Sequence, residues 1–464
     1  MQGKKYIKKG FIAFIGVLFL VFFVQCAFKS FQEKYISNEV KDSIKKRVDN
    51  AESVGIVVGI INADGKTESF CYGTMGLDDD RPVDEHSVYE IGSISKVFTC
   101  TVLADMIEEK TLDLTDPADM YLPQRVTLPL RNGMKITLEH LATHTSSLPR
   151  MPSNYRPADP LNPYADYTVQ NLYDFLSQCT LTRDIGSEYE YSNLAMGLLG
   201  HILSLKAGVS YEDMIVERIC RPLGMESTVI SLSPELKKRL AKPHNAKGEV
   251  SLWDIPTLAG AGAIRSTADD MLAFLYANMG LKQTELLPAM EMAHEPRVDA
   301  GEDMHVGLGW HIRDNGQTKI VWHNGGTGGY RTFAGFVKDK KIGVIVLSNM
   351  NIGQDDIGFH LLDNSYKLKS VEDIFEVEPQ ILNTYAGEYK IKDSDEIHYV
   401  TRRGRQLILK SPEQRPIILF PKSETEFKIK FSTMRIAFKG DDSGEIIGMM
   451  MLEPAKKIEA MKLK

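Results

Sequence analysis

Ser93-Ile94-Ser95-Lys96 sets a hydroxyl and an amine three residues apart, a spacing that puts both on one face of a helix, one turn from each other. An amine beside a hydroxyl takes its proton when burial and neighbouring cations lower the lysine pKa, and the oxygen left behind is a nucleophile. The motif alone carries little weight, since at ordinary Ser and Lys frequencies it should occur roughly twice in a chain this long. A second copy, Ser43-Ile44-Lys45-Lys46, sits in a Lys-rich stretch. Setting separates the two. Ser93 follows a loop at 84–87 and a short apolar segment at 88–92, and it opens the helix-patterned run 97–107. A helix N-terminus presents the positive end of the macrodipole, which favours an alkoxide or oxyanion there.

Tyr191-Ser192-Asn193 precedes a second apolar, helix-like run at 194–203. In extended backbone the Tyr191 phenol and the Asn193 amide point the same way. A phenol next to a lysine ammonium relays protons, and an Asn amide can bond a substrate carbonyl and the lysine together. Tyr276-Ala277-Asn278 repeats the pattern at the end of an amphipathic helix, 266–276, where the two side chains diverge; it reads as core and surface. His323-Asn324-Gly325-Gly326 ends the strand-like segment 319–322 and leads through 327–330 into 331–337. Glycine in a strand marks close approach of another backbone or a ligand, which makes Gly325 and Gly326 candidate substrate-binding positions. The N–H of Gly326 and that of Ser93 together form a candidate oxyanion hole. His305-Val306-Gly307 reads as part of a turn. Each element alone has a plain reading: a solvated helix face, a core tyrosine, a turn. Three in this order, each at a junction of helix or strand, point jointly to a nucleophilic serine.

These residues resemble the serine β-lactamase and penicillin-binding-protein superfamily, in its class C β-lactamase, D-Ala-D-Ala peptidase and esterase branch, which carries S-x-x-K, then Y-x-N, then K-T-G or H-x-G. The stretches 136–149, Arg221-Pro222-Leu223-Gly224-Met225, 259–263 and 307–310 match its habits, so the resemblance covers about residues 45–350. It implies an α+β fold: an antiparallel sheet flanked by helices, with a helical insertion. It also implies acyl transfer through a covalent acyl-serine on amide, ester or β-lactam carbonyls of a peptide or small molecule. Ser93 would be the nucleophile, Lys96 and Tyr191 would move its proton, and Asn193 would position the acyl side chain. His323 would bind a substrate carboxylate or share in the relay. No metal or organic cofactor is implied. The alternative is a penicillin-binding sensor that acylates without efficient turnover. Two departures stand out: His323 replaces the lysine that many β-lactamases of this branch carry, which weakens the expectation of efficient β-lactam hydrolysis, and Ser147 stands where glycine is usual.

With 464 residues, 43% of them hydrophobic and 25% charged, the chain is ordinary globular material with room for two or three domains. Lys4, Lys5, Lys8 and Lys9 precede an unbroken apolar or Gly/Ala run, 10–24, so residues 1–29 read as a signal peptide or N-terminal membrane anchor. Cys26 is placed like a lipobox cysteine, but Gln25 replaces the small residue expected before it. Lipidation, cleavage and an uncleaved anchor all stay open, and each puts the remainder outside the cytoplasmic membrane, periplasmic or at the cell surface. Losing residues 1–25 removes four lysines and no acid, taking the net charge from −7 to −11. An acidic domain has no basic stripe for nucleic acid. Cys71, Cys100, Cys179 and Cys220 show neither C-x-x-C spacing nor a dense framework, and no metal site is expected. Segments 54–61 and 67–72 read as one hairpin and 333–337 with 342–347 as another, so both ends of a domain at 30–365 build one sheet. The texture turns polar from residue 352, with a linker at 366–380. Short strands between turns then fill 381–464, an all-β domain resembling a small lipocalin-like barrel.

Overall fold

The computed structural model describes residues 35–371, 375–403, 406–412, 417–429, 433–453 and 456–463. The segment carrying the signal or anchor expectation lies outside the described residues. Among those described, no single helix is long and apolar enough to cross a membrane.

Strand β1 (Gly55–Ile61) is buried along its whole length. Val57 and Ile61 pack into a large core on one side, while Ile56, Val58 and Ile60 join a second core on the other. Side chains alternate across a strand, so burial on both faces demands the continuous apolar run seen in its sequence. From β1 the antiparallel sheet extends one way through β2 (Thr67–Gly76) and β3 (Asp79–Pro82). Short ladders pair β4 (Tyr89–Glu90) with β7 (Arg265–Ser266) and β5 (His244–Asn245) with β6 (Gly248–Glu249). The chain then returns to the sheet as β8 (Val298–Asp299), β9 (Met304–Val306), β10 (His311–Asp314), β11 (Lys319–Gly326), β12 (Arg331–Val337) and β13 (Ile342–Ser348). The order β3-β2-β1-β13-β12-β11-β10-β9-β8 closes on β1, with Val57 opposite Leu347. The sheet is therefore built from both ends of the domain.

The helices Ser95–Glu108, Asn193–Ala207 and Ala268–Asn278 contribute to the first core. The second core holds Ile44 and Val48 of the helix Asn38–Asp49 and Ile357 and Leu362 of the helix Asp355–Leu362. Arg47 joins those two helices from a buried position, with Nη1 donating to Asp356 Oδ1 at 2.9 Å and to Gln354 Oε1 at 2.6 Å. The Asp355–Leu362 helix lies in sequence that is polar in texture. Its four large apolar residues, Ile357, Phe359, Leu361 and Leu362, all join the second core, which is enough to dock it. Another helix, Pro379–Tyr385, starts inside the segment read as linker.

Eight further strands form a closed barrel: β14 (Gly387–Ile391), β15 (Ile397–Arg403), β16 (Gln406–Lys410), β17 (Ile417–Pro421), β18 (Glu426–Ile429), β19 (Arg435–Gly440), β20 (Ile446–Leu452) and β21 (Lys457–Lys462). Pairing of β14 with both β15 and β21 removes the sheet edges. The barrel has its own core, including Tyr389, Phe427 and Phe438, capped by Leu382 and Tyr385 of the preceding helix.

One contact of the first domain sets the position of Ser93. The end of β11 lies directly against the turn at Ile91 and Gly92. A Cβ on Gly325 would overlap the Ile91 carbonyl oxygen, and one on Gly92, whose φ is +53°, would sit 2.6 Å from the Gly326 nitrogen. Thr332, opposite Gly325 on β12, donates its hydroxyl to the Ile91 carbonyl at 2.9 Å. Backbone cannot yield as a flexible side chain does, so Gly325→Ala should cost about 1–3 kcal/mol or more. It should lower the melting temperature and slow the reaction of Ser93 with a covalent probe; an unchanged melting curve would show that strand and turn are not pressed together.

Candidate active site

Gly92–Ile94 forms a single 3-10 turn and hands the chain to the helix Ser95–Glu108, so Ser93 sits just ahead of the helix and Lys96 is its second residue. Ser93 is half-buried and Lys96 fully buried. The Lys96 Nζ lies 2.9 Å from Ser93 Oγ and donates to the Ala261 carbonyl at 2.7 Å. The segment that supplies this carbonyl grips the helix twice more. Ile264 N–H donates to Ser95 Oγ at 3.0 Å, and Thr99 Oγ1 lies 2.9 Å from the Gly260 carbonyl. Burial holds the Lys96 pKa well below the ordinary lysine value, and the nearby Arg150 guanidinium pushes it further down.

Tyr191 stands beside this pair, its ring centroid 4.8 Å from Lys96 Nζ. Extended backbone ends at Ser192. That residue caps the helix Asn193–Ala207, its Oγ accepting from Ala195 N–H at 2.9 Å, so Asn193 is already helical. Asn193 nevertheless lines one cleft with Ser93, Tyr164, Trp253, Gly326 and Thr327, and its buried Oδ1 has no hydrogen-bond partner among the described residues. Burial raises the Tyr191 phenol pKa, with a hydrogen bond to Ser93 pulling the other way. The decoys lie elsewhere. Ser43 is on the helix Asn38–Asp49, beneath the opposite face of the sheet; Tyr276 packs at the β1–β2 turn, and Asn278 is bonded to the Phe274 carbonyl.

On β11, His323 is 1% exposed, with Nδ1 2.6 Å from the Asn324 carbonyl. Its ring stacks on that of His311, centroids 4.7 Å apart, and His311 Nε2 lies 3.2 Å from the Tyr189 hydroxyl. A third imidazole, His144, accepts from Ser192 N–H at 3.1 Å through Nδ1 and lies 4.6 Å from the Tyr191 ring. Burial pushes all three histidines down, His311 to about 4, and Lys96 would push each further whenever it is protonated. Neutral imidazoles thus wall the lysine. Among the described residues, no three His, Cys, Asp or Glu side chains converge as metal ligands.

Motif reading assigned no chemistry to His144, His311 or Arg150. The first and last lie in or next to the stretch 136–149, and His311 directly follows 307–310, so the signal was adjacency to segments already notable. His144 adopts a left-handed φ of +61°, uncommon for a residue with a Cβ. Ser147 shares that φ, which accounts for the glycine usual in the family; its Oγ donates to the Arg183 carbonyl at 2.8 Å and accepts from Arg183 N–H at 3.2 Å.

Residues 40–361 match the family model described as Beta-lactamase. The D-alanyl-D-alanine-carboxypeptidase/endopeptidase AmpH of Escherichia coli (strain K12) is 30% identical over 301 residues, 60% of this chain and 77% of the relative. Penicillin-binding protein 4* of Bacillus subtilis (strain 168) is 26% identical over 442 residues, 85% of this chain and 91% of the relative. Among solved structures, a class C beta lactamase from Rhodobacter sphaeroides superposes with a TM-score of 0.62 at 25% identity, over 71% of this chain and 99% of its own. A beta-lactamase/D-alanine carboxypeptidase from Pseudomonas syringae shares the fold at a TM-score of 0.64 and 22% identity, over 72% and 100%. The family match ends before the barrel begins. Over most of its length, therefore, the chain belongs to the beta-lactamase family, as a serine hydrolase of the β-lactamase and DD-peptidase type.

Proposed function

We propose that this enzyme cleaves amide or ester carbonyls, in D-amino-acid peptides of the peptidoglycan type or in small esters, through an acyl-serine on Ser93. The observation that carries the reading is the fully buried Lys96 amine, shared between Ser93 Oγ at 2.9 Å and the Ala261 carbonyl at 2.7 Å. A neutral amine donates one N–H to the carbonyl and keeps its lone pair for the serine proton. Ser93 Oγ then bonds to the substrate carbonyl carbon as its proton passes to Lys96. The carbonyl electrons move onto oxygen, faced by the backbone N–H groups of Ser93 and Gly326. Tyr191, kept protonated by its raised pKa, gives its proton to the departing nitrogen or oxygen and is reprotonated from the Lys96 ammonium. Water resolves the acyl-serine along the reverse proton path.

In this scheme the Asn193 amide orients the acyl side chain. His323, buried and neutral, is poorly suited to pairing with a carboxylate; its stacking on His311 favours a place in the wall around Lys96. The lack of a cation at residue 323 supports peptides and esters over β-lactams, and the carboxypeptidase named among the relatives supports the same choice. The lysines and apolar run of residues 1–29 support export and attachment to a membrane, by anchor or lipid, at the periplasmic or cell-surface side.

Ser93→Ala should abolish covalent labelling by a fluorophosphonate or fluorescent penicillin, while Ser43→Ala leaves it intact; persistent labelling of the Ser93→Ala protein would move the nucleophile elsewhere. Tyr191→Phe should lower kcat by ~10²–10⁴-fold with an unchanged melting temperature, because it removes only a phenol. Tyr276→Phe should behave as wild type, and a reversal of these two results would transfer the proton-donor role.

The buried imidazoles also set a pH dependence. A histidine whose folded pKa lies below its unfolded value contributes stability that is complete above about 6.5 and is lost as pH falls toward the folded value. For His311, lowered from 6.5 to about 4, the unfolded chain binds the extra proton, and the loss between pH 7.5 and pH 5 is about 2 kcal/mol. Denaturant unfolding should therefore show stability declining over that interval, and His311→Gln should flatten the decline even though its stability at pH 7.5 is lower. Parallel curves for the two proteins would contradict a neutral buried His311.

A further inference from the structure

Three cations around the cleft differ in what already occupies them. Lys96 is buried and bonded to Ser93 and Ala261. Arg331 is the first residue of β12, paired with Gly326 on β11, and its side chain lies on the far face of the sheet. A Cβ on Gly326 would press on its guanidinium, Asn324 on that same face donates to Asp355, and Arg331 Nη1 donates to the Thr327 and Tyr330 carbonyls at 3.3 and 3.1 Å. Arg150 is different. It is exposed, and among the described residues no carboxylate forms an ion pair with it.

The Arg150 side chain nonetheless rests on one ring. Its guanidinium carbon lies 5.1 Å from the Tyr191 ring centroid, on a ring that also faces Lys96. Its backbone is fastened to the start of the Asn193 helix, the Arg150 carbonyl accepting from Leu194 N–H at 3.2 Å. The next residue, Met151, takes a contact from Asn193 Nδ2 at 3.9 Å. Arg150 thus stands on the Asn193 side of the cleft, where the acyl group is proposed to lie. An aromatic wall is adjacent: Tyr155 and Tyr164 are 5.4 Å apart, and Tyr164 and Trp253 5.3 Å. The protein as a whole carries a net charge of −7. An exposed guanidinium beside Tyr191, with no carboxylate partner among the described residues, is placed to receive an anion in such a protein.

We propose that Arg150 anchors a carboxylate on the acyl side of the substrate, so that the preferred substrates carry an anionic group a few bonds from the carbonyl attacked by Ser93. The planar guanidinium fork suits a carboxylate in two-point pairing. The inference rests on the acyl-serine reading above and adds the chemical class of the acyl group.

The test compares kcat/KM for the p-nitrophenyl half-ester of adipic acid with that for p-nitrophenyl hexanoate, acyl chains of equal length differing in one carboxylate. Wild type should favour the charged ester, and Arg150→Gln should reduce that preference about 10- to 100-fold, the range expected for hydrogen bonds to a charged group. Arg150→Lys should keep part of it, and added salt should shrink it in wild type. Taking the ratio of the two esters cancels the part of Arg150's effect on Lys96 that is independent of the bound carboxylate, which both substrates feel. A ratio unchanged in Arg150→Gln, or a wild-type preference for the hexanoate, would overturn the proposal. If wild type hydrolyses neither ester, the acyl-serine reading fails separately, and the anchor is still read from equilibrium binding of adipic acid monoamide against adipamide. Tighter binding of the monoamide by wild type, lost in Arg150→Gln, supports the anchor; equal binding of both by both proteins overturns it.

Discussion

The Lys96 amine sits wholly inside the protein, with the Ser93 hydroxyl on one side and the Ala261 carbonyl on the other. A charged ammonium there would have to shed its water at a cost of several kcal/mol, which only a close carboxylate could offset. Its hydrogen bonds go instead to a hydroxyl and a carbonyl, so the neutral amine is the form the surroundings favour. The rest of the site is consistent with that demand. His144, His311 and His323 are all held neutral, and none adds a buried positive charge next to the lysine at neutral pH. Each also keeps one buried ring nitrogen with no hydrogen-bond partner among the described residues.

Holding an amine in that place requires backbone to approach backbone. Gly260, next to the carbonyl that receives Lys96, could not carry a Cβ: it would come 2.8 Å from the Met196 carbonyl and 2.9 Å from Gly200 Cα. The small-residue run 259–263 is therefore a spacing device, letting the Ser95 and Asn193 helices close on one segment. Gly92 and Gly325 do the same where β11 meets the serine turn. Two such contacts, one on each side of the turn and helix carrying Ser93 and Lys96, fix the hydroxyl and the amine relative to the sheet more firmly than side-chain packing alone would.

Local patterns made much of this legible. Two-sided burial wrote itself into the unbroken apolar run of β1, paired apolar segments marked both hairpins, and helix-start context separated Ser93 from Ser43. What escaped was information carried by three-dimensional approach. Nothing in the types of His144 and His311 distinguishes an imidazole beside the lysine from one on the surface. Whether Asn193 is extended or helical turns on a single capping bond from Ser192, below what periodicity resolves. The helix Asp355–Leu362 escaped because it is only eight residues long and starts without a side-chain cap, and its sequence gives no hint that Arg47, about three hundred residues earlier, pairs with Asp356.

The same burial that lowers Lys96 raises Tyr191, since both shifts favour the uncharged form. One group is thereby left as a proton acceptor and its neighbour as a donor, with no net charge stored between them in the resting site. Arg150 acts on both in the opposite sense to burial on the phenol and in the same sense on the amine: its positive charge makes the Tyr191 proton easier to release and the Lys96 ammonium less stable. Once Lys96 has taken the serine proton, that field urges the proton onward to the phenol and the leaving group. A carboxylate bound at Arg150 would cancel part of the field and strengthen Lys96 as the initial base. On the anchor proposal, then, substrate binding and the proton affinity of Lys96 are linked, and by reciprocity a protonated Lys96 must alter the affinity for the carboxylate.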